Sequence, residues 1–314
     1  MQENIIIFDW LSITSKNPDP QYFIDMLGLD SRNFELVKGA HGYRQRLWFS
    51  NISIHFDGGP NMGTWLEMSG QGCRTFETLG TCDYSYIFSK LLSPSEDLHI
   101  TRLDVAFDDH TGILDIDTIF VDTLHQDFVS RSRIWEIIKS SQGCTINIGS
   151  HKSDVLIRIY DKAAERKCED GVHWIRCELQ LRNDRCLAFI EQLQFFQGDI
   201  GKVYAGVIHN YLRYVDPSEE DTNRWRWELK PYWAEFLGGV SKISIYDKPG
   251  MEYNLERVKN YVFGQAGNSI DTLIKIMGKE EFYNQLMQRD SSLNDKQRHL
   301  INEHLMQEGD IHEI

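Results

Sequence analysis

Along the first two thirds of the chain, apolar and polar positions alternate with the period of two that marks strands; beyond that they recur at three and four, as helices require. The Ile-rich "NIIIFDWLSIT" predicts a first strand with Asp9, Leu11 and Ile13 on one face. "DPQYFIDMLGL" predicts a short helix opened by Asp19 and Pro20 and closed at Gly28. Two alternating segments, "RQRLWFSNISIHFDGG" and "TWLEMSGQGCRTF", are parted by Gly58, Gly59, Pro60 and Asn61, a hairpin signature. "HITRLDVAFDD" reads as a strand and "DIDTIFVDTLHQDFV" as a helix, and "CTINIGS", "VLIRIYD" and "HWIRCELQLR" complete the β-rich part. From "LAFIEQLQFF" onward helices take over, and the three tryptophans of "NRWRWELKPYWAEFL" are expected in an aromatic core patch, with a base-stacking platform as the alternative. The pattern predicts an α+β fold: a mainly antiparallel sheet with flanking helices, followed by a helical C-terminal part. Residues 1–240 and 241–314 are the expected lobes.

Composition narrows the class. Apolar residues at 41% and charged ones at 25% suit a globular chain with a real core. No segment approaches the ~20 apolar residues of a membrane span, and "IIIF" is too short for a signal peptide. The six cysteines form no CxxC pair and read as reduced thiols of a cytoplasmic protein. A formal charge of −14 argues against a protein that coats nucleic acid. Between Arg131 and Cys186, however, 11 Lys and Arg stand against 8 Asp and Glu, a distribution suited to a confined anionic substrate.

Three residues stand out chemically. In "TRLDVAFDD" the apolar Leu103, Val105 and Phe107 leave Arg102, Asp104 and Asp108 on the opposite face; in "IRCELQLR" Arg176, Glu178 and Gln180 are placed likewise. Two such strands can bring two carboxylates together, and like charges at that distance need a cation, Mg²⁺ or Mn²⁺ by the oxygen ligands on offer. Pairing of each acid with a neighbouring arginine is the alternative. Tyr160 shares a strand face with Arg158 and Lys162. Flanking cations and a nearby metal would stabilise a phenolate, and a phosphodiester is the electrophile that wants the same cations. An ordinary strand tyrosine is the competing reading.

"GSHKSDVLIRIYDKAAER", with "TRLDVAFDD", "LEMSGQGCR" and "IRCELQLR" in order, resembles the signature of the Rep-trans family, the replication initiation factors. These are rolling-circle initiators of plasmids and phages and the related relaxases of conjugative elements. The resemblance spans roughly Ile5 to Leu237. It implies a sheet similar to that of the HUH endonucleases, with carboxylates in place of their paired histidines; "SIHFD" and "DLHIT" each hold a single His. It further implies a metal-dependent DNA strand transferase with Tyr160 as nucleophile joined to a 5′ phosphate. Arg158 and Lys162 would steady the phosphate, Asp104 and Glu178 would hold Mg²⁺ or Mn²⁺, and Glu67 is a weaker third ligand. Lys152, Arg74 and Arg176 are candidate DNA contacts. The 1–240 lobe is then the nicking and joining domain. The 241–314 part is a candidate origin-recognition module with a polar tail, acidic overall at 7 basic and 11 acidic residues from Met251. DNA, a second copy of the chain and a host helicase of the Rep/UvrD kind are the partners implied. Conjugative relaxases often carry a helix-turn-helix domain ahead of the first strand, so the likeness is nearer to the phage and plasmid initiators. A non-cutting origin or operator binder and a metal hydrolase with an idle Tyr160 remain as alternatives.

Overall fold

The computed structural model describes residues 3–140, 143–169, 171–245, 259, 262–263, 267–288 and 301. In chain order the first half runs β1 (Ile5–Ser15), α1 (Gln21–Leu27), β2 (Glu35–Lys38), β3 (Gln45–Phe49), β4 (Ile52–Phe56), β5 (Thr64–Ser69), α2 (Gly70–Leu79), α3 (Tyr84–Leu92) and β6 (Leu98–Asp109). There follow α4 (Ile116–Leu124), β7 (Phe128–Ser130), β8 (Trp135–Ser140), β9 (Gly143–Ile148), β10 (Val155–Asp161), α5 (Lys162–Arg166) and β11 (Ile175–Arg182). The unit ends with α6 (Asp184–Phe195), α7 (Ile200–Tyr211), β12 (Leu212–Tyr214) and α8 (Pro231–Leu237).

Ten strands form one antiparallel sheet in the order β2-β3-β4-β5-β1-β6-β11-β10-β9-β8, and β7 pairs with β12 in a second, two-stranded sheet. The α+β class follows directly. Alternation decides which face is covered. Leu11, Ile13, Leu66, Met68, Leu103, Val105, Leu179, Leu181, Ile157 and Ile159 point into one core, which α1, α2, α3, α6, α7 and α8 close with Phe23, Phe76, Phe88, Phe189, Tyr204 and Trp233. Burying such side chains contributes about 1.5–3 kcal/mol each before the entropy of ordering is subtracted. The opposite face carries the polar series.

Several sequence expectations change here. "RQRLWFSNISIHF" is two strands, turned at Ser50 (φ 42°) and Asn51 (φ 66°), where two successive positive φ values make a tight hairpin. In "TWLEMSGQGCRTF" only Thr64–Ser69 is extended; Gly70 opens helix α2 because its backbone must approach Asp9, whose carboxylate would lie 2.5 Å from a Cβ there. A bulge between Phe8 and Trp10 separates Asp9 from the face of Leu11 and Ile13, correcting the shared face expected from simple alternation. Of the three tryptophans expected in a core patch, Trp233 is fully buried, while Trp225 is 36% exposed.

The chain divides into two units, Met1–Pro249 and Gly250–Ile314. Ile243 and Ile245, beyond the expected boundary at 240, are buried in the first unit's core. In the second, α9 (Gly267–Met277) and α10 (Lys279–Gln288) are joined at Gly278, whose φ of 86° ends α9. The polar tail lies outside the described residues apart from Ile301. Among the described residues, no helix is long and apolar enough to cross a membrane.

Candidate active site

Strands β6, β11 and β10 lie side by side, so register fixes which polar residues meet. Gln180 stands opposite Asp104 and Glu178 opposite Ala106 across β6 and β11. Glu178 also faces Arg158, and Arg176 faces Tyr160, across β11 and β10. Lys162 follows at once because the chain turns after Tyr160. Asp161 caps α5 by accepting the Ala164 N–H at 2.8 Å, and the Lys162 N–H donates to the Trp174 carbonyl at 2.9 Å.

The Tyr160 hydroxyl donates to Glu178 Oε2 at 3.1 Å, and Lys162 Nζ lies 3.5 Å from the same hydroxyl. Arg158 bonds the other Glu178 oxygen at 3.1 Å. The Arg158 guanidinium and the Lys162 ammonium lie 5.2 and 5.3 Å from the phenol ring centre, so the ring is flanked by two cations. Tyr160 is 6% exposed, yet its oxygen is engaged by the polar face and the residue is no member of the apolar cluster. Burial pushes the phenol above its ordinary value of 10, and the Glu178 charge adds to the rise; Arg176 and Arg158 pull down without prevailing. With protein groups alone, the flanking cations therefore do not deliver the lowered phenol that their placement suggests. Burial outweighs them.

Asp104 is 2% exposed and is gripped by Arg102, whose Nε and Nη2 donate to its two oxygens at 2.9 and 2.5 Å. Burial pushes the Asp104 carboxyl up to about 7; the Arg102 bond opposes this, and the nearby Glu178 charge adds to it. The paired-arginine reading is thus met, with each acid held by its own arginine. Arg102 also stacks on Trp10, 4.1 Å from the ring centre. Arg176 is locked between Asp108 (2.6 and 2.7 Å) and Asp9 (2.6 Å). Burial raises the Asp9 carboxyl, with Arg176 opposing.

The remaining expected residues are dispersed. Glu67 looks out on the same side from β5, but Ser12 of β1 stands between it and Arg102, so it does not join Asp104 and Glu178. Burial raises its carboxyl, while His41, Arg102 and Arg46 oppose. Arg74 does not reach this face as a free cation: its Nη2 bonds the Phe8 carbonyl and Glu77, each at 2.6 Å. Lys152 is exposed in the loop between β9 and β10. Alternation placed Arg102 beside Asp104 as expected, whereas Asp9 was missed as a member of the cluster, because the bulge that frees it carries no sequence signal.

No three His, Cys, Asp or Glu side chains among the described residues converge closely enough to hold an ion by themselves. The donor chemistry nevertheless fits a hard cation. Asp104, Glu178, Asp108, Asp9 and Glu165 are met by Arg102, Arg158, Arg176 and Lys162, five acids against four bases. Asn147 Oδ1, opposite Arg158 on β9, is buried without a donor.

Comparison with known proteins gives the family. Residues 98–289 match the family model described as replication initiation factor, and residues 5–93 match that of the rolling circle replication initiation protein N-terminal domain. The putative DNA relaxase NicK of Bacillus subtilis (strain 168) is 24% identical over 329 residues, covering 98% of this chain and 92% of its own. The solved structure of a rolling circle replication initiator protein from Geobacillus stearothermophilus superposes with a TM-score of 0.69 at 30% identity, covering 77% of this chain and 99% of its own. With one family model spanning residues 98–289 and a second residues 5–93, the chain belongs to the replication initiation factor family of rolling-circle initiators and relaxases.

Proposed function

We propose that the chain initiates rolling-circle replication by cutting, and later rejoining, one DNA strand at an origin through a covalent bond between Tyr160 and the 5′ phosphate. The observation that carries this reading is the Tyr160 hydroxyl donating to Glu178 at 3.1 Å with Lys162 Nζ 3.5 Å away. In the step, Tyr160 Oη bonds to phosphorus, the bond from phosphorus to the 3′ oxygen breaks, and the phenolic proton leaves to solvent. The 3′ oxygen takes a proton from solvent and leaves as the hydroxyl that primes synthesis. Arg158 and Lys162, on either side of the ring, counter the charge that builds on the phosphate oxygens. Asp104 and Glu178 would hold Mg²⁺ or Mn²⁺, which when bound would offset phosphate charge and favour the phenolate.

Arg176 is a positioning residue in this scheme, because its donors are committed to Asp108 and Asp9. Lys152 is the exposed cation that extends DNA contact along the β9–β10 loop. Origin recognition by residues 241–314, pairing with a second copy and recruitment of a host helicase of the Rep/UvrD kind belong to the same proposal, and rest on the family likeness. The test is to incubate the chain with Mn²⁺ and supercoiled DNA bearing its origin. A nicked product joined to protein, absent with Tyr160→Phe, is expected. Nicking that survives Tyr160→Phe would leave only a water-using hydrolase.

A further inference from the structure

The tryptophan-rich stretch before α8 surrounds a group of cations that the sheet face does not use. Arg213, opposite Val129 in the β7–β12 pair, is 7% exposed. Its guanidinium donates to the backbone carbonyls of Trp225 and, at 2.9 Å, Trp227. Among the described residues it has no carboxylate partner, and its buried Nε has no acceptor. Arg131 donates to the Asn210 carbonyl at 2.8 Å and to Asn210 Oδ1 at 2.9 Å, which leaves the Asn210 Nδ2, on a residue 5% exposed, without an acceptor. Lys242 is exposed and forms no ion pair among the described residues; burial, then Arg213 and Arg131, hold its ammonium below the usual value.

Two of these cations meet one indole. Lys242 Nζ lies 5.6 Å and the Arg131 guanidinium 6.0 Å from the Trp225 ring centre. Three cations without a carboxylate partner among the described residues are unusual in a chain of net charge −14. A buried guanidinium short of counter-charge is costly unless an anion completes it. Two buried, unpartnered N–H donors define where such an anion would be held.

We propose that Arg131, Asn210, Arg213, Lys242 and Trp225 form a second DNA contact, which takes a phosphodiester of a single strand while a neighbouring base lies on Trp225. Planar guanidinium donors match phosphate oxygens, and an exposed indole beside them is the pairing that single-strand binders use. A free inorganic anion would satisfy the donors but leave the indole unexplained. The site is not part of the Tyr160 face. Helices α7 and α8 lead into and follow it and pack under the apolar side of the sheet, where Phe236 contacts Phe107 at 5.1 Å between ring centres. A strand held there has left the cleavage site, so the inference adds to the nicking proposal and does not depend on its chemistry.

The experiment uses the full chain in a Tyr160→Phe background, so that cleavage cannot intervene. Fluorescence anisotropy measures binding of a labelled single strand of about 20 nucleotides without origin sequence, at salt from about 50 to 200 mM. Arg131→Gln and Lys242→Gln, both at exposed positions, should each lower the slope of log K against log salt by about 0.7. Trp225→Leu should weaken binding about fivefold or more with the slope unchanged. Parent-like affinity and slope in all three variants would overturn the proposal, as would a loss confined to duplex DNA. A melting temperature raised by inorganic phosphate in the parent but not in Lys242→Gln, with single-strand binding unaffected, would reassign the site to a free anion. The covalent product is read separately with Tyr160 restored, so failure of one reading leaves the other standing.

Discussion

Replacing Arg176 by methionine separates a structural clamp from a DNA contact. The side chain is 3% exposed and makes three charge-assisted bonds, two to Asp108 at 2.6 and 2.7 Å and one to Asp9 at 2.6 Å. It sits on β11, Asp108 on β6 and Asp9 in the bulge of β1, so one guanidinium ties three adjacent strands. Removing it strands Asp108, itself 2% exposed, as a buried carboxylate with no cation. Breaking a buried pair in this one-sided way costs about 3–5 kcal/mol. For a unit of this size, each kcal/mol moves the melting temperature by about 2–4 °C, so Arg176→Met should melt roughly 6–20 °C below the parent. The double variant Arg176→Met with Asp108→Leu removes both buried charges and should recover more than half of the loss, since the Asp9 carboxylate is partly open to water at 21%. Thermal unfolding of parent, single and double variants is the assay. A single variant within about 0.5 kcal/mol of the parent would refute the clamp, because that is the range of ordinary surface substitutions. A double variant as unstable as the single would refute its electrostatic origin.

Asp104→Ala or Glu178→Ala should abolish nicking of origin DNA while leaving DNA binding largely intact; binding lost in step with cleavage would count against their place at the reacting phosphate. His55, stacked on Trp65 at 4.6 Å, is held down to about 4 mainly by burial. The unfolded chain therefore takes up a proton near 6.5 that the folded chain refuses until about 4. Stability should fall as pH drops through that window, and His55→Phe should flatten this part of a denaturation series against pH. At Gly63, φ is 60° and a Cβ would lie 2.0 Å from the Ser15 carbonyl oxygen. Gly63→Ala should cost about 1–3 kcal/mol, read as a lowered denaturant midpoint, and an unchanged midpoint would show that the β1–β5 junction shifts freely.

The sequence disclosed more of the site than of its wiring. Period-two alternation in "TRLDVAFDD", "IRIYD" and "IRCELQLR" places Asp104, Tyr160 and Glu178 on one face because each strand is buried on the other, and burial leaves no choice of parity. Register between strands is not written in any one of them. Nothing in "IRCELQLR" says that Glu178 will meet the Tyr160 hydroxyl while Arg176 turns to Asp108. Asp9 escaped because a bulge alters parity within one strand, and a bulge has no composition of its own here. The turn at Ser50 and Asn51 was hidden because alternation continues on both sides of it. The tryptophans misled for a related reason: helical spacing places Trp233 in the core, but Trp225 sits in a single 3₁₀ turn, Arg224–Arg226, too short to carry a buried stripe.

Charge ties the two proposed DNA contacts together. Around Tyr160, Arg102, Arg158 and Arg176 are each spent on a carboxylate and five acids meet four bases, so a phosphodiester arriving there finds no surplus of positive charge nearer than Arg182, which shares this face of β11 and has no carboxylate partner among the described residues. An overall charge of −14 adds a repulsive field. Catalysis on a strand of DNA then requires charge from elsewhere: a divalent ion at the carboxylates for the reacting phosphate, and for the rest of the strand a site whose cations have no carboxylate partner among the described residues. Arg131, Arg213 and Lys242 form such a site, and its separation from Tyr160 is what the chemistry asks for. Unpaired arginines beside the phenol would compete for the same carboxylates that are to hold the metal, whereas cations on the helix side can grip the strand without disturbing them. If single-strand affinity proved insensitive to Arg131 and Lys242, the acidic face would have to bind DNA through the metal and Lys152 alone, and binding should then collapse on chelation.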